Sequence, residues 1–277
     1  MNNAATLPLI IEPTDLHNLL ANLDDGHSIR VVDLTGLDHY AQGHIPGSIP
    51  LDYTQIVDHA PPVMGLLPNE VTLGQTLSRL GITKACHVIA YDNEGGGKAA
   101  RLLWTLAACN HRGLSLLNGG LFAWEEGGLP KTHVVPEVIA GEYPVQYSNM
   151  SVVADRPYIL SRLNDDDFCV VDARSTGEFE GTDVRAARGG HIPGAVHFEW
   201  TDAMDRSREL RLLDDETLKA MLTEKGITPD KEIVVYCHTH HRSAFSFWML
   251  KHLGYTRVRG YPGSWSDWGN QPDTPID

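Results

Sequence analysis

Val31-Val32-Asp33, followed by Gly43-His44-Ile45-Pro46-Gly47, returns in the second half of the chain as Val170-Val171-Asp172 followed by Gly190-His191-Ile192-Pro193-Gly194. The parallel continues downstream. Gly81-Ile82-Thr83 leads into Val88-Ile89-Ala90-Tyr91, and Gly226-Ile227-Thr228 leads into Ile233-Val234-Val235-Tyr236. Each half then carries a Gly-containing turn ahead of a tryptophan, Gly119 with Trp124 and Gly260 with Trp265. The offset runs only from 139 (Asp33 to Asp172) to 147 (Gly43 to Gly190), so the chain is an internal duplication with small insertions.

Within each copy, short apolar runs bounded by polar turns alternate with amphipathic stretches. Val31–Asp33 and Val88–Tyr91 have the pattern of strands buried on both faces. Thr72 to Leu80 ends at Gly81, and Ser243 to Leu253 ends at Gly254, as helices closed by a C′ glycine do. Strands alternating with helices predict an α/β fold of two similar domains, each a mainly parallel sheet with helices on both faces. Pro136 and Gly141 lie in an aperiodic stretch, which sets the expected boundaries at 1–132, a linker at 133–142, and 143–277. A length of 277 residues is enough for two domains, each with its own core.

Charge narrows the partners. Asp and Glu number 36 against 22 Lys and Arg, a formal −14, which argues against nucleic acid or an anionic membrane surface. No apolar run approaches the ~20 residues of a membrane span. Met1 to Thr6 lacks the charged start of a signal peptide. Four scattered cysteines, Cys86, Cys109, Cys169 and Cys237, suit a reducing cytoplasm rather than a disulfide framework. A small anion can still be the ligand, provided a local feature attracts it.

The His-Ile-Pro-Gly runs read first as rigid turns. Proline keeps its predecessor extended, and the glycine after it permits positive φ. Since both halves carry the run, His44 and His191 are expected to be structural. Asp33 and Asp172, at strand ends, are expected to anchor hydrogen bonds.

The chemistry sits after Tyr236, where the chain reads Cys237-His238-Thr239-His240-His241-Arg242-Ser243 before an apolar helix with Phe245, Phe247 and Trp248. Open α/β sheets bind ligands at the carboxyl ends of their strands. Loop amides and a helix N-terminus there attract an anion and lower a thiol's pKa. Cys237 is therefore the candidate nucleophile, with His238, Thr239, His240, His241, Arg242 and Ser243 as candidate substrate-binding residues. The other three cysteines read as core thiols. Cys237, His238, His240 and His241 could suggest a metal, but ligands drawn from five consecutive residues rarely close a tetrahedron, so neither metal nor cofactor is expected.

The tandem repeat, the two His-Ile-Pro-Gly turns and the loop from Cys237 to Arg242 resemble the two-domain rhodaneses over nearly the whole chain. The run Cys-His-Thr-His-His-Arg-Ser is similar to the active loop of the bacterial thiosulfate sulfurtransferases, and differs from the Cys-Gly-Ser-Gly of the mercaptopyruvate enzymes. The resemblance implies a monomeric sulfurtransferase. Cys237 would take a sulfane sulfur from an anionic donor such as thiosulfate and hold it as a persulfide. It would then pass the sulfur to cyanide or a thiol acceptor, a thiol protein included. A 3-mercaptopyruvate sulfurtransferase is the alternative. A rhodanese-like phosphatase or arsenate reductase fits less well, because Arg242 follows the cysteine by five positions and not six. A cysteine-free binding module describes only the first half, where Asp92 replaces the cysteine in Asp92-Asn93-Glu94-Gly95-Gly96-Gly97-Lys98. Where mammalian-type enzymes have a substrate-binding arginine, six residues after the counterpart of Asp172, this chain has Glu178, which would repel a substrate carboxylate. Arg174, Arg185 and Arg188 lie nearby, and Arg174 is the expected substitute.

Overall fold

Alternating apolar and amphipathic segments fold as the repeat requires. The computed structural model describes residues 7–22 and 29–277; Met1 to Thr6, where no signal peptide is expected, lie outside the described residues. The first half runs β1 (Ile10–Ile11), α1 (Pro13–Ala21), β2 (Ile29–Asp33), α2 (Leu37–Gln42) and β3 (Ile49–Pro50). A ribbon of β4 (Asp58–Ala60) and β5 (Val63–Leu66) comes next, then α3 (Glu70–Arg79), β6 (His87–Tyr91), α4 (Gly97–Ala108), β7 (Gly113–Leu117) and α5 (Gly120–Glu126). The second half opens with α6 (Arg156–Arg162), β8 (Phe168–Asp172), α7 (Thr176–Phe179) and β9 (Val196–His197). It continues with β10 (Met204–Asp205), β11 (Arg211–Leu212), α8 (Asp215–Glu224), β12 (Glu232–Tyr236), α9 (Arg242–His252), β13 (Val258–Gly260) and α10 (Ser264–Trp268).

Two parallel sheets result, ordered β1-β7-β6-β2-β3 and β13-β12-β8-β9. Their central strands, β6 and β12, are apolar because both faces are covered. The helices end as expected, with Gly81 and Gly254 in the left-handed region at φ +64° and +91°. Helix α3 starts at Glu70, ahead of the expected Thr72, because the Asn69 side chain before it caps the Val71 and Thr72 amides.

The His-Ile-Pro-Gly turns are structural. His44 stacks on Tyr40 and its ring nitrogens meet the Tyr40 and Val134 carbonyls; His191 stacks on Phe179 and meets that residue's carbonyl. Asp33 accepts from the Thr35 amide and hydroxyl and from Tyr91, and Asp172 accepts from Tyr236 and Arg174. One pairing in the repeat differs from the expected one. Trp124 corresponds to Trp268, not Trp265, since both indoles donate to the carbonyl of a proline a few residues on, Pro130 and Pro275.

The compact units do not follow a single cut in the sequence. One comprises Met1–Ile56, Pro68–Ser148 and Asp205–Arg211; the other comprises Val57–Leu67, Asn149–Met204 and Leu212–Asp277. The expected linker packs on the first unit through the Gly141 amide, which donates to the Ser78 carbonyl, and just beyond it the Tyr143 amide donates to the Ser78 hydroxyl and the Tyr143 ring is buried. Each unit therefore takes a short ribbon segment from the other half of the sequence. No helix among the described residues is long and apolar enough to cross a membrane.

Candidate active site

Cys237 leaves the end of β12, and the chain turns through His238 to His241 into α9. The loop is held from below by the start of α10: the Trp265 amide donates to the Cys237 carbonyl and the Ser266 amide to the His238 carbonyl, both at 3.0 Å. Ser264 uses all its capacity there. Its hydroxyl donates to the Tyr261 carbonyl (2.7 Å) and accepts from the Cys237 amide (3.3 Å) and the His240 amide (3.1 Å). His240 and Ser264 both adopt positive φ, +52° and +50°, a conformation that non-glycine residues take uncommonly and at some cost in strain.

Cys237 is 1 % exposed. Burial pushes the thiol up, but Arg242, the Ser243 hydroxyl and amide, and the Thr239 amide outweigh it and bring the Cys237 pKa down to about 7. The other cysteines are buried as well. Without such donors, burial pushes Cys109 up to about 12 and Cys169 up to about 11. Cys237 alone among these three is tuned toward a thiolate near neutral pH.

Arg242 does not extend toward solvent. It hydrogen-bonds the sulfur and grips Glu178 with both terminal nitrogens, at 2.6 and 2.9 Å. Glu178 in turn closes a capping box with Ser175 at the start of α7. Burial raises the Glu178 carboxyl, but Arg242, Ser175 and Arg185 overcome it and hold the pKa at about 2. The expected repulsion of a substrate carboxylate by Glu178 is thus corrected: this carboxylate is 1 % exposed and neutralised.

Arg174 is a second correction. Its guanidinium folds back onto Asp172 and the Gly190 carbonyl and lies over the Trp265 ring, 1 % exposed. Its Nε and one terminal nitrogen are thereby committed within the protein. Arg188 is held by the Trp268, Gln271 and Thr274 carbonyls. Arg185 is the more exposed of the three: its side chain is 54 % exposed, it pairs with Asp183 at 3.0 Å, its Nε lies 3.8 Å from Glu178, and its charge acts on His238.

The loop histidines divide. His240 is fully buried and its Nδ1 meets the Ser243 hydroxyl at 2.8 Å, so it orients Ser243 and does not face a ligand. The His241 ring is centred 6.2 Å from that of Trp200, and both residues are half-buried. His238 is half-buried, and burial lowers its pKa while Glu178 pulls it back up. Thr239 contributes its amide to the sulfur. No three His, Cys, Asp or Glu side chains gather as a metal site among the described residues.

Sequence reasoning missed Ser264 and the Arg242–Glu178 pair. The repeat held a signal for the first. Ser264 occupies the place of Gly120, whose own φ is +58°, and a serine where the other copy needs glycine marks a hydroxyl worth some strain.

The rhodanese-like domain family matches residues 15–127 and 156–271. A thiosulfate sulfurtransferase of Azotobacter vinelandii is 45 % identical over 278 residues, covering 100 % of both chains. A thiosulfate sulfurtransferase of Pseudomonas aeruginosa is 43 % identical over 277 residues, again covering 100 % of both. Among solved structures, the anaerobic ergothioneine biosynthesis enzyme from Chlorobium limicola shares the fold, with a TM-score of 0.87 at 22 % identity; the match covers 100 % of this chain and 72 % of that one.

Proposed function

The chain belongs to the rhodanese-like family and is a sulfurtransferase, and on that premise we propose that Cys237 carries the sulfur and thiosulfate supplies it. The observation that carries this reading is the depressed pKa of a buried thiol, set by the loop amides and Arg242.

The Cys237 thiolate attacks the outer sulfur of thiosulfate. A new S–S bond forms, the sulfur–sulfur bond of the donor breaks, and sulfite leaves with the electron pair. Arg242 and the Thr239 and Ser243 donors then stabilise the persulfide anion as they did the thiolate. An acceptor such as cyanide or a thiol, a protein thiol included, attacks the outer sulfur, and the thiolate departs. Because Arg242 is committed to Glu178 and Cys237, the donor's sulfonate end is drawn by Arg185 and the loop. No cofactor takes part. The protein acts as a monomer. Four free cysteines suit a reducing cytoplasm.

Incubation with thiosulfate should add about 32 Da, one sulfur atom, to the intact mass, and cyanide should remove it. Cys237→Ser should abolish both the gain and thiocyanate formation. Thiocyanate production by the serine variant would end the assignment.

A further inference from the structure

The ribbon β4–β5 lies in the first half of the sequence but belongs to the unit that holds Cys237. The Ser266 hydroxyl bridges it to α10, accepting from the Met64 amide at 2.9 Å and lying 3.1 Å from the Met64 carbonyl. The same serine's backbone amide holds the His238 carbonyl. Next in the ribbon is Gly65, with φ +78°. A Cβ there would stand 2.1 Å from the Thr239 carbonyl oxygen and 2.7 Å from its carbon, so the ribbon backbone rests directly on the loop.

The peptide between Thr239 and His240 is consequently gripped at both ends. Its carbonyl abuts Gly65, and its N–H donates to the Ser264 hydroxyl. We infer that Gly65 and Ser264 are positioning residues, and that the ribbon of the first half and the start of α10 together clamp this peptide so that the neighbouring amides point at the Cys237 sulfur. The inference rests on Cys237 being the working thiol. The clamp acts through the loop backbone, whereas Arg242 and Glu178 act through charge. The left-handed serine also has a reason: a glycine would relieve the backbone but leave two loop amides without their acceptor.

The contact can be separated from the backbone preference. Gly47 shares the φ of +78°, but a methyl group added there would meet nothing within 4 Å, so Gly47→Ala carries the conformational penalty alone. Ser264→Gly removes the hydroxyl while easing the backbone, so folding should survive. The readout is the pH dependence of Cys237 alkylation by iodoacetamide in the full chain, which requires no sulfur transfer and so stands or falls separately from the proposed donor. Gly65→Ala and Ser264→Gly should each move the profile up by about one pH unit and slow alkylation at pH 7 about fivefold. Gly47→Ala should leave it in place. Should Gly65→Ala fail to fold, Ser264→Gly decides. A folded Ser264→Gly protein with the parent profile would overturn the inference, as would a shift of the same size in Gly47→Ala.

Discussion

Burial alone would make Cys237 as inert as Cys109, and the difference lies in a few donors. Arg242 is the largest of these, which gives a residue-scale prediction. Arg242→Ala should raise the alkylation pKa of Cys237 above 7 and slow its reaction at pH 7 at least about tenfold. It should also destabilise the protein by about 3–5 kcal/mol, because Glu178 is left buried without its partner. Arg185→Ala should instead raise KM for thiosulfate a few-fold and leave the alkylation pKa unchanged. Steady-state kinetics beside a pH–rate profile separates the two, and identical profiles for Arg242→Ala and the parent would remove Arg242 from the account. The loop after Tyr236 could be singled out in sequence because strand, polar loop and helix are local patterns. Arg174 misled because proximity along the chain does not reveal that its guanidinium turns back to a carboxylate two residues away. Glu178 and Arg242 are 64 positions apart, and only the fold brings them together.

The two halves use one loop scaffold for opposite ends. In the first, the Asp92 carboxylate accepts from the Glu94 and Gly96 amides at 3.0 and 2.8 Å and from the Ala99 amide at 3.0 Å. The loop's donors are thus satisfied by a built-in carboxyl group. Burial, then the nearby Glu94, push the Asp92 carboxyl up, and the three amides pull against them. Asp92→Ala should cost about 1–3 kcal/mol for the donors left unpaired. Asp92→Cys should not yield a second labile sulfur, since Lys98, at the place of Arg242, is paired with Glu94 at 3.3 Å and Glu94 disfavours a thiolate. Persulfide stoichiometry after thiosulfate treatment tests this, and two sulfurs per chain would refute it. At this scale the sequence was informative wherever elements are long enough for a pattern. The strands β10 and β11 have two residues each, too few for any alternation to register.

Across the whole molecule, the buried Glu178–Arg242 pair links stability to acidity. The Glu178 pKa is about 2 when folded against an ordinary 4.5, so the unfolded chain takes up the proton at higher pH. The stabilisation is complete above pH 4.5 and is lost as pH falls toward 2; a shift of that size corresponds to about 3 kcal/mol. Urea unfolding of the parent and of Glu178→Gln at pH 5 and pH 3 should show a smaller loss on acidification in the variant. Equal losses would exclude this carboxylate as the source. The duplication and both sheets could be read from repeated motifs. The exchange of ribbons could not, because no local pattern says which partner a short exposed turn will choose.

That exchange orders events on the ribosome. The tip of the second ribbon, Asp205–Arg211, seats on the first unit, with Arg211 reaching Glu126 at 3.2 Å and the Ala123 carbonyl at 3.3 Å. The first ribbon must in turn await α10 near the end of the chain. At synthesis rates of roughly 5–20 residues per second, Val57–Leu67 is made roughly 10–40 s before its seat exists. The first unit therefore cannot be finished as its own half emerges, and the thiol acquires its clamp only once α10 has been made.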